Sequence, residues 1–308
     1  MLTIFESILP VFLLVILGIG LKRTTVINGN FWEGMEQCSY YVLFPALLFQ
    51  TMAKADFSDA SSIHVSLIAI LAFTTMSVVV LASWPVLKRG QMRPSTFTSL
   101  YQTSTRWNGF MALAIAAKTY DAHGLVVVGM VMAAVIVPVN VGSIAVLAVF
   151  SGQKRDYRAI AIKIISNPMI IATILGIGVN IAGIPIYRPL MATVDLLSQA
   201  SLSLGLITVG AGLKVADALK PSIGVISAVV MKLVVFPALA IAVGLAVGLT
   251  GTNLALLALS AAVPTAMNGY VLAKQMGGDA PLLAQIISLQ TVLAALTMPI
   301  AIALVGTG

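Results

Sequence analysis

Two short polar segments interrupt long apolar stretches of the sequence, and they contain residue types suited to binding an anion. The first segment runs from Tyr101 to Phe110 and contains Arg106, Asn108 and Gly109. An arginine inside a membrane-spanning segment costs at least a few kcal/mol unless it faces protein, water or an anion. Its planar guanidinium group suits a carboxylate. The segment therefore indicates a binding site rather than a lipid-facing surface.

The second polar segment follows about 160 residues later and repeats the Asn-Gly pair. It contains Pro264, Thr265, Asn268 and Gly269. Proline lacks a backbone N–H, glycine permits unusual dihedral angles, and Asn-Gly is typical of turns. Both segments are therefore predicted to break their helices and to leave anion-attracting N-termini near the membrane centre. In an alternative interpretation, the asparagines only cap the broken helices and hold the two segments together.

Three further polar residues are predicted to form walls of the same site. Asn140 follows Pro138 in a long apolar stretch, and Gln285 and Ser288 begin a polar run that extends to Thr291. The spacing of Gln285 and Ser288 places them on one helix face. The alternative is that these side chains only form hydrogen bonds between helices, as polar residues in membranes often do.

The sequence allows several roles for each of two charged residues inside predicted spans. Asp195 could relay a proton or bind a coupling ion, or it could be an interfacial residue near the outer end of its span. Lys232 lies deeper, and it could replace a coupling cation, extend to the membrane surface or pair with an acidic neighbour. Arg106 itself could contact the substrate, or it could pair with a carbonyl group or with Asp195.

Composition restricts the class of protein to an integral membrane protein. Only 9% of the 308 residues are charged and 59% are hydrophobic, whereas soluble domains carry about 25% charged residues. The net charge of +7 comes from basic residues near span ends, which indicates membrane orientation rather than nucleic-acid binding. One cysteine excludes an intramolecular disulfide framework. Zinc-protease, P-loop and nucleophile-elbow motifs are absent, so we expect no enzyme activity, cofactor or metal.

Apolar runs long enough to cross a bilayer predict ten transmembrane helices. Twelve of the seventeen basic residues lie in odd-numbered connections or within four residues of them, and three lie in or next to even-numbered ones. This bias predicts cytoplasmic odd connections and both termini on the outer side. The predicted spans are 2–21, 37–53, 63–86, 95–118, 123–150, 160–182, 188–213, 221–249, 253–274 and 281–305.

An internal repeat divides the chain into two halves, residues 1–153 and 154–308. Leu17-Gly18-Ile19-Gly20 recurs at 175–178, Asn108-Gly109 at 268–269, and Pro138 at Pro299. Five spans per half is an odd number, so the second half must enter the membrane inverted. Inverted repeats recur in secondary transporters, which bind substrate near the midplane at interrupted helices. The sequence therefore predicts a carrier of a small organic anion.

Several segments in order along the chain resemble the auxin efflux carrier family. The segments are Leu9–Gly18, Phe44–Phe49, Arg106–Phe110, Pro138–Asn140, Ser166–Pro168 and Val263–Asn268. The resemblance implies a sodium–proton antiporter-like fold of two inverted five-helix repeats, with the fourth and ninth spans crossing at the site. It implies a dimerising scaffold of spans 1, 2, 6 and 7, and an elevator movement of spans 3–5 and 8–10.

The resemblance also bears on substrate and location. Plant members export auxin, an aromatic carboxylate, and bacterial members are often named as permeases for malonate or other organic acids. The short connection at 150–160 is similar to that of bacterial members, which implies the inner membrane. The fourth span lacks proline between Pro94 and Pro138, which departs from the family pattern.

The sequence leaves two alternatives to an organic-anion carrier. The first is a sodium- or proton-coupled transporter of the same fold with a non-carboxylate substrate. Such a protein needs deep acidic residues, and the sequence offers only Asp195 and the edge residue Glu6. The second is a non-transporting scaffold or sensor, which would need a soluble signalling segment that the sequence lacks.

Overall fold

The computed structural model describes residues 2–24, 27–55, 61–150, 158, 162, 165–213, 222–266 and 268–306. Every regular element in these residues is a helix. Five helices are long and apolar enough to cross a membrane: Ser62–Arg89, Asp121–Phe150, Arg188–Gly212, Ile223–Ala246 and Ala280–Val305. The all-helical fold is thereby confirmed, and the five candidate spans agree with a multi-pass membrane protein. The ten-span count and the division at residue 153 stay predictions, and much of the connection between the halves lies outside the described residues.

The helices of the first half are separated by short connections. They are α1 (Leu2–Arg23), α2 (Gly29–Cys38), α3 (Phe44–Ala53), α4 (Ser61–Arg89), α5 (Pro94–Thr105), α6 (Gly109–Thr119) and α7 (Asp121–Phe150). The helices of the second half are α8 (Pro168–Ile181), α9 (Arg188–Gly212), α10 (Ile223–Val230), α11 (Phe236–Ala246), α12 (Gly251–Ala262), α13 (Asn268–Gln275) and α14 (Ala280–Val305).

Two π-helical turns, Ser39–Leu43 and Met231–Val235, join α2 to α3 and α10 to α11. Each precedes a Phe-Pro-Ala-Leu sequence, which begins at Phe44 or Phe236. The N–H of each phenylalanine donates to the carbonyl five residues earlier. The proline that follows has no N–H to continue the α-helical pattern, and a widened turn accommodates that missing donor.

The chain leaves helical geometry at both predicted interruptions. α5 ends at Thr105 and α6 begins at Gly109, and between them Arg106 is extended with φ −77° and ψ 158°. α12 ends at Ala262, where Val263 is extended, and α13 begins at Asn268. Each interruption therefore supplies a helix N-terminus inside the helical assembly, at α6 and at α13.

Glycines let four helices approach one another closely. A Cβ atom on Gly18 of α1 would lie 2.0 Å from the carbonyl oxygen of Ile207, and one on Gly210 of α9 would lie 1.9 Å from that of Val15. In the same way, a Cβ on Gly176 of α8 would lie 2.7 Å from a carbonyl oxygen of α3. Only hydrogen side chains permit such backbone contact. The pairs α1–α9 and α3–α8 are therefore closely packed.

Asn180 of α8 stabilises the end of α3, and its replacement is expected to weaken the fold moderately. Its Nδ2 donates to the carbonyl oxygens of Met52, Ala53 and Ala55, at 3.1, 2.9 and 2.8 Å. Asn180→Ala should lower the free energy of unfolding by about 1–3 kcal/mol, because these carbonyls lose their side-chain donor. Denaturant unfolding in detergent micelles measures this change. Gln199→Ala, which removes an exposed amide from neighbouring α9, should have little effect.

Candidate functional site

Arg106 is a buried cation held in place by a neutral partner. Its side chain is only 6% exposed, and its Nη2 donates to Oδ1 of Asn140 at 2.8 Å. Its Nη1 has no hydrogen-bond partner among the described residues. A Cβ atom on Gly269 would lie 3.3 Å from Cδ of Arg106, so glycine leaves room for the arginine there. The structure thus brings together Arg106, Asn140 and Gly269, all three predicted as site residues.

A small cavity of about 70 Å³ lies beside this guanidinium group. Its polar side chains are Arg106 and Asn140, and most of its other walls are apolar or aromatic. The lining residues are Phe44, Arg106, Trp107, Gly109, Phe110, Met132, Ile136, Val139, Asn140, Met169 and Ala266. A cavity with one cation, one amide and apolar walls can take a carboxylate that carries an apolar part.

Hydrogen bonds join the two interruptions to each other. Oγ1 of Thr265 donates to the carbonyl oxygen of Thr103 at 2.8 Å. Nε2 of Gln290 donates to the same oxygen at 3.1 Å and to the carbonyl oxygen of Ala228 at 3.2 Å. Its Oε1 accepts from the backbone N–H of Thr265 at 3.2 Å. Gln290 therefore ties both interruptions to α10, which is the alternative role, hydrogen bonding between helices, that the sequence left open for this polar run.

Buried polar atoms without a described partner are concentrated at the first interruption. They include both amide atoms of Gln102, Oγ of Ser104, Nη1 of Arg106 and Nδ2 of Asn108. Buried polar groups in proteins are ordinarily hydrogen-bonded, so these atoms are available to a polar ligand or to water. Gln102 and Ser104 were not predicted as site residues. The sequence feature that could have identified them is the run of polar residues inside an apolar span.

The remaining predicted wall residues lie in different positions. Asn108 caps α6, because its side chain accepts from the N–H of Met111 at 3.2 Å, and Gly109 lines the cavity. Pro264 is buried at the second interruption. Asn268 begins α13, but its side chain lies outside the described part of the chain. Neither Gln285 nor Ser288 lines the cavity, and the hydroxyl of Ser288 donates to its own helix at 2.9 Å.

The two other charged candidates lie apart from the cavity. Asp195 forms an ion pair with Lys54 at 2.8 Å and accepts a hydrogen bond from Gln50. The alternative pairing of Asp195 with Arg106 is therefore not formed. Lys232 has no exposed surface, so its side chain does not extend to the membrane surface, and no salt bridge joins it to a described acidic residue. In the described ranges, no group of three or more His, Cys, Asp or Glu side chains could hold a metal.

Comparison with known sequences shows to which protein family the chain belongs. The chain matches the membrane transport protein family, which is the auxin efflux carrier family, over residues 3–302. The protein belongs to this family. It is 24% identical to an "uncharacterized transporter" of Methanothermobacter thermautotrophicus over 304 residues, which cover 96% of each chain. It is 22% identical to the "uncharacterized transporter YfdV" of Escherichia coli K12 over 285 residues, 89% of each chain. The resemblance to the auxin efflux carrier family is confirmed, and the chain is a membrane transport protein.

Proposed function

We propose that this transporter carries a small organic anion across the bacterial inner membrane, with its carboxylate bound between Arg106 and Asn140. The observation that carries the proposal is a buried guanidinium group with a neutral partner on Nη2 and no described partner on Nη1. A buried charge is costly unless another charge and hydrogen bonds compensate it. An anion that accepts a hydrogen bond from Nη1 supplies both the opposite charge and the missing hydrogen bond.

The surroundings of Arg106 favour the same ligand. The N-terminus of α6 begins at Gly109 beside the cavity, and its backbone dipole attracts negative charge. Phe44, Trp107 and Met132 form apolar walls suited to the body of an organic acid. Acids from malonate to an auxin-like aromatic acid fall within this class, and the carboxylate is the group that they share.

The arrangement of the closely packed helices supports an elevator mechanism. The pairs α1–α9 and α3–α8 belong to the predicted spans 1, 2, 6 and 7, which form the proposed homodimeric scaffold. The proposed transport unit contains spans 3–5 and 8–10, which include both interruptions. The halves 1–153 and 154–308 are the two inverted repeats, with both termini on the periplasmic side. Movement of the transport unit along the scaffold exposes the Arg106 cavity to each side in turn.

A ligand screen of the purified protein tests the proposal. Malonate, other aliphatic acids and indole-3-acetate are compared with neutral and cationic compounds of similar size by thermal shift and calorimetry. We expect saturable binding and stabilisation by at least one carboxylate, and neither effect with the corresponding amide or amine. Stabilisation by sodium, other cations or neutral compounds alone would show that Arg106 is structural and that the organic-anion assignment is wrong.

Gly205 of α9 is expected to control the shape of the cavity through Phe110. A Cβ atom on Gly205 would lie 2.2 Å from Cδ1 of Phe110, whose ring packs on Phe44 with centroids 3.9 Å apart. Gly205→Ala should push the ring into the cavity and weaken binding of the carboxylate found in the screen by about tenfold, or about 1.4 kcal/mol. Calorimetry measures the dissociation constant.

Two variants separate this effect from a general loss of packing. Adding Phe110→Ala to Gly205→Ala removes the displaced ring and should restore most of the affinity. Gly20→Ala places the same methyl group where nothing lies within 4 Å, and it should bind like the wild type. Equal affinity of Gly205→Ala and the wild type would contradict the predicted position of Phe110 in the cavity wall.

A further inference from the structure

A second buried cation, Lys232, is not used by the proposed anion site. It lies in the π-helical turn Met231–Val235, and its side chain has no exposed surface. Its Nζ has no hydrogen-bond partner among the described residues. Its Nζ lies over two aromatic rings, 4.5 Å from the centroid of Phe236 and 5.9 Å from that of Phe73. Aromatic faces attract a cation, but they do not neutralise its charge.

The helices packed against this turn offer Lys232 no counter-charge. The helices α10, α11, α12 and α14 contain no ionisable side chain. Helix α5 contributes Tyr101, whose hydroxyl is hydrogen-bonded to Ser77, and is followed by the cation Arg106. Helix α4, which contributes the Phe73 ring, also contains ionisable side chains: His64, Lys88 and Arg89. These lie near the ends of α4, far along the chain from Phe73.

Lys232 is nevertheless connected to the anion cavity. The ring of Phe73 packs edge-on against Phe236 at 4.6 Å and against Trp107 at 6.2 Å between centroids. Trp107 lines the cavity that contains Arg106, so Nζ of Lys232 is at most about 12 Å from a ring of the cavity wall. The hydrogen bonds of Gln290 also join α10, the helix that leads into Lys232, to both interruptions.

This distance is short enough for an anion and a proton to influence each other. An ammonium group without a counter-ion in a buried site is costly, and a nearby negative charge lowers that cost. At roughly 10–15 Å and an effective dielectric constant of about 20, a carboxylate favours the protonated amine by about tenfold. By linkage, proton binding strengthens carboxylate binding by the same factor.

We propose that Lys232 is the proton-binding site of the transporter, so that a carboxylate and a proton favour each other's binding to the same transport unit. This inference rests on the proposed anion site at Arg106. The amine of Lys232 takes a proton from water on the entry side when the carboxylate binds. The N–H bond breaks after the carboxylate leaves, and the proton passes to water on the exit side. No electron is transferred.

The charge balance of this cycle has a direct consequence. The empty transport unit carries the charge of Arg106 and a neutral amine at Lys232. The unit loaded with a monocarboxylate and a proton carries Arg106, the ammonium and the anion, which gives the same net charge. Each monocarboxylate that crosses together with a proton therefore moves no net charge.

Proton uptake on carboxylate binding tests the proposal. The full-length protein is titrated with indole-3-acetate and with malonate by calorimetry, in buffers of different ionisation enthalpy. A tenfold linkage predicts a maximum uptake of about half a proton per bound carboxylate. Lys232→Met should bind the same probe without this uptake, and Lys118→Met, which removes an exposed lysine from the end of α6, should retain it. Equal proton uptake by the wild type and Lys232→Met would overturn the inference and leave the anion site intact.

A second measurement does not depend on carboxylate binding. The wild type is labelled at lysine Cε, and the Lys232 signal is identified by its loss in Lys232→Met, or in Lys232→Gln if that variant does not fold. The signal is followed across the pH interval in which the protein stays folded, and it should move within that interval and again when a binding probe is added. If no carboxylate binds, the proposed function fails and the pH titration alone decides. A signal that stays fixed across this interval excludes a proton site at Lys232.

Discussion

Replacing Arg106 with glutamine is expected to abolish carboxylate binding while leaving the protein at least as stable as the wild type. The guanidinium group is the only cation in the described cavity wall. Loss of a buried, charge-assisted contact typically costs 2–5 kcal/mol, so the dissociation constant should rise at least about 30-fold. The amide of glutamine can still donate to a neighbour such as Asn140.

Stability distinguishes a binding role of Arg106 from a structural one. Truncating one member of a buried ion pair destabilises a protein because it leaves the partner's charge uncompensated. Arg106 has no described acidic partner, so Arg106→Gln removes the uncompensated charge itself. We therefore expect the thermal unfolding temperature of the ligand-free variant to be unchanged or higher. A clear loss of ligand-free stability would mean that the guanidinium group mainly braces the interruption.

Two matched variants complete the test of Arg106. Arg93→Gln removes an exposed arginine from the start of the same broken span, and it should bind the carboxylate like the wild type. Arg106→Lys keeps the charge but loses the planar fork that bonds a carboxylate and Asn140 together, so it should show an intermediate affinity. Equal binding by Arg106→Gln and the wild type would contradict the proposed site.

The interruptions and their chemistry could be predicted from the sequence because local rules determine them. Polar residues, an Asn-Gly pair and an arginine inside an apolar stretch are incompatible with a lipid-facing helix, and the structure breaks the helix between Thr105 and Gly109. The two side-chain amide atoms of Asn108 differ in their surroundings. Its Oδ1 caps α6, whereas its Nδ2 has no described partner. The sequence could therefore not decide between capping and binding.

Contacts between distant parts of the chain could not be predicted, because spacing along one helix does not give rotation relative to its neighbours. Lys54 and Asp195 are separated by 141 residues, yet they form an ion pair. This pair excludes the predicted alternative of Asp195 beside Arg106. Likewise, the contact between Gly205 and the ring of Phe110 joins residues of different helices, so it depends on the three-dimensional fold.

Gln290 is expected to have the largest effect on folding among the polar residues near the site. Gln290→Met preserves side-chain length but removes two donated hydrogen bonds and one accepted hydrogen bond. The backbone N–H of Thr265 then lacks its side-chain acceptor in a fully buried position. Leaving this N–H unpaired costs about 1–3 kcal/mol and each lost donated hydrogen bond about 0.5–1.5 kcal/mol, so the free energy of unfolding should fall by about 3 kcal/mol. Denaturant unfolding in mixed micelles measures this loss.

The neighbouring residue, Thr291, provides a control that tests whether the loss of stability comes from the hydrogen bonds between the two interruptions. Thr291 is equally buried, but its hydroxyl donates only to Ile287 in its own helix, at 2.8 Å. Thr291→Val should therefore lower the free energy of unfolding by no more than about 1 kcal/mol.

Gln290→Met should also weaken carboxylate binding, because Thr103 and Arg106 lie on the same interrupted segment that Gln290 holds. Similar losses in the two variants would show that Gln290 does not join the interruptions. If Gln290→Met is less stable but binds the carboxylate as the wild type does, then Gln290 holds the two segments together without determining the shape of the anion site.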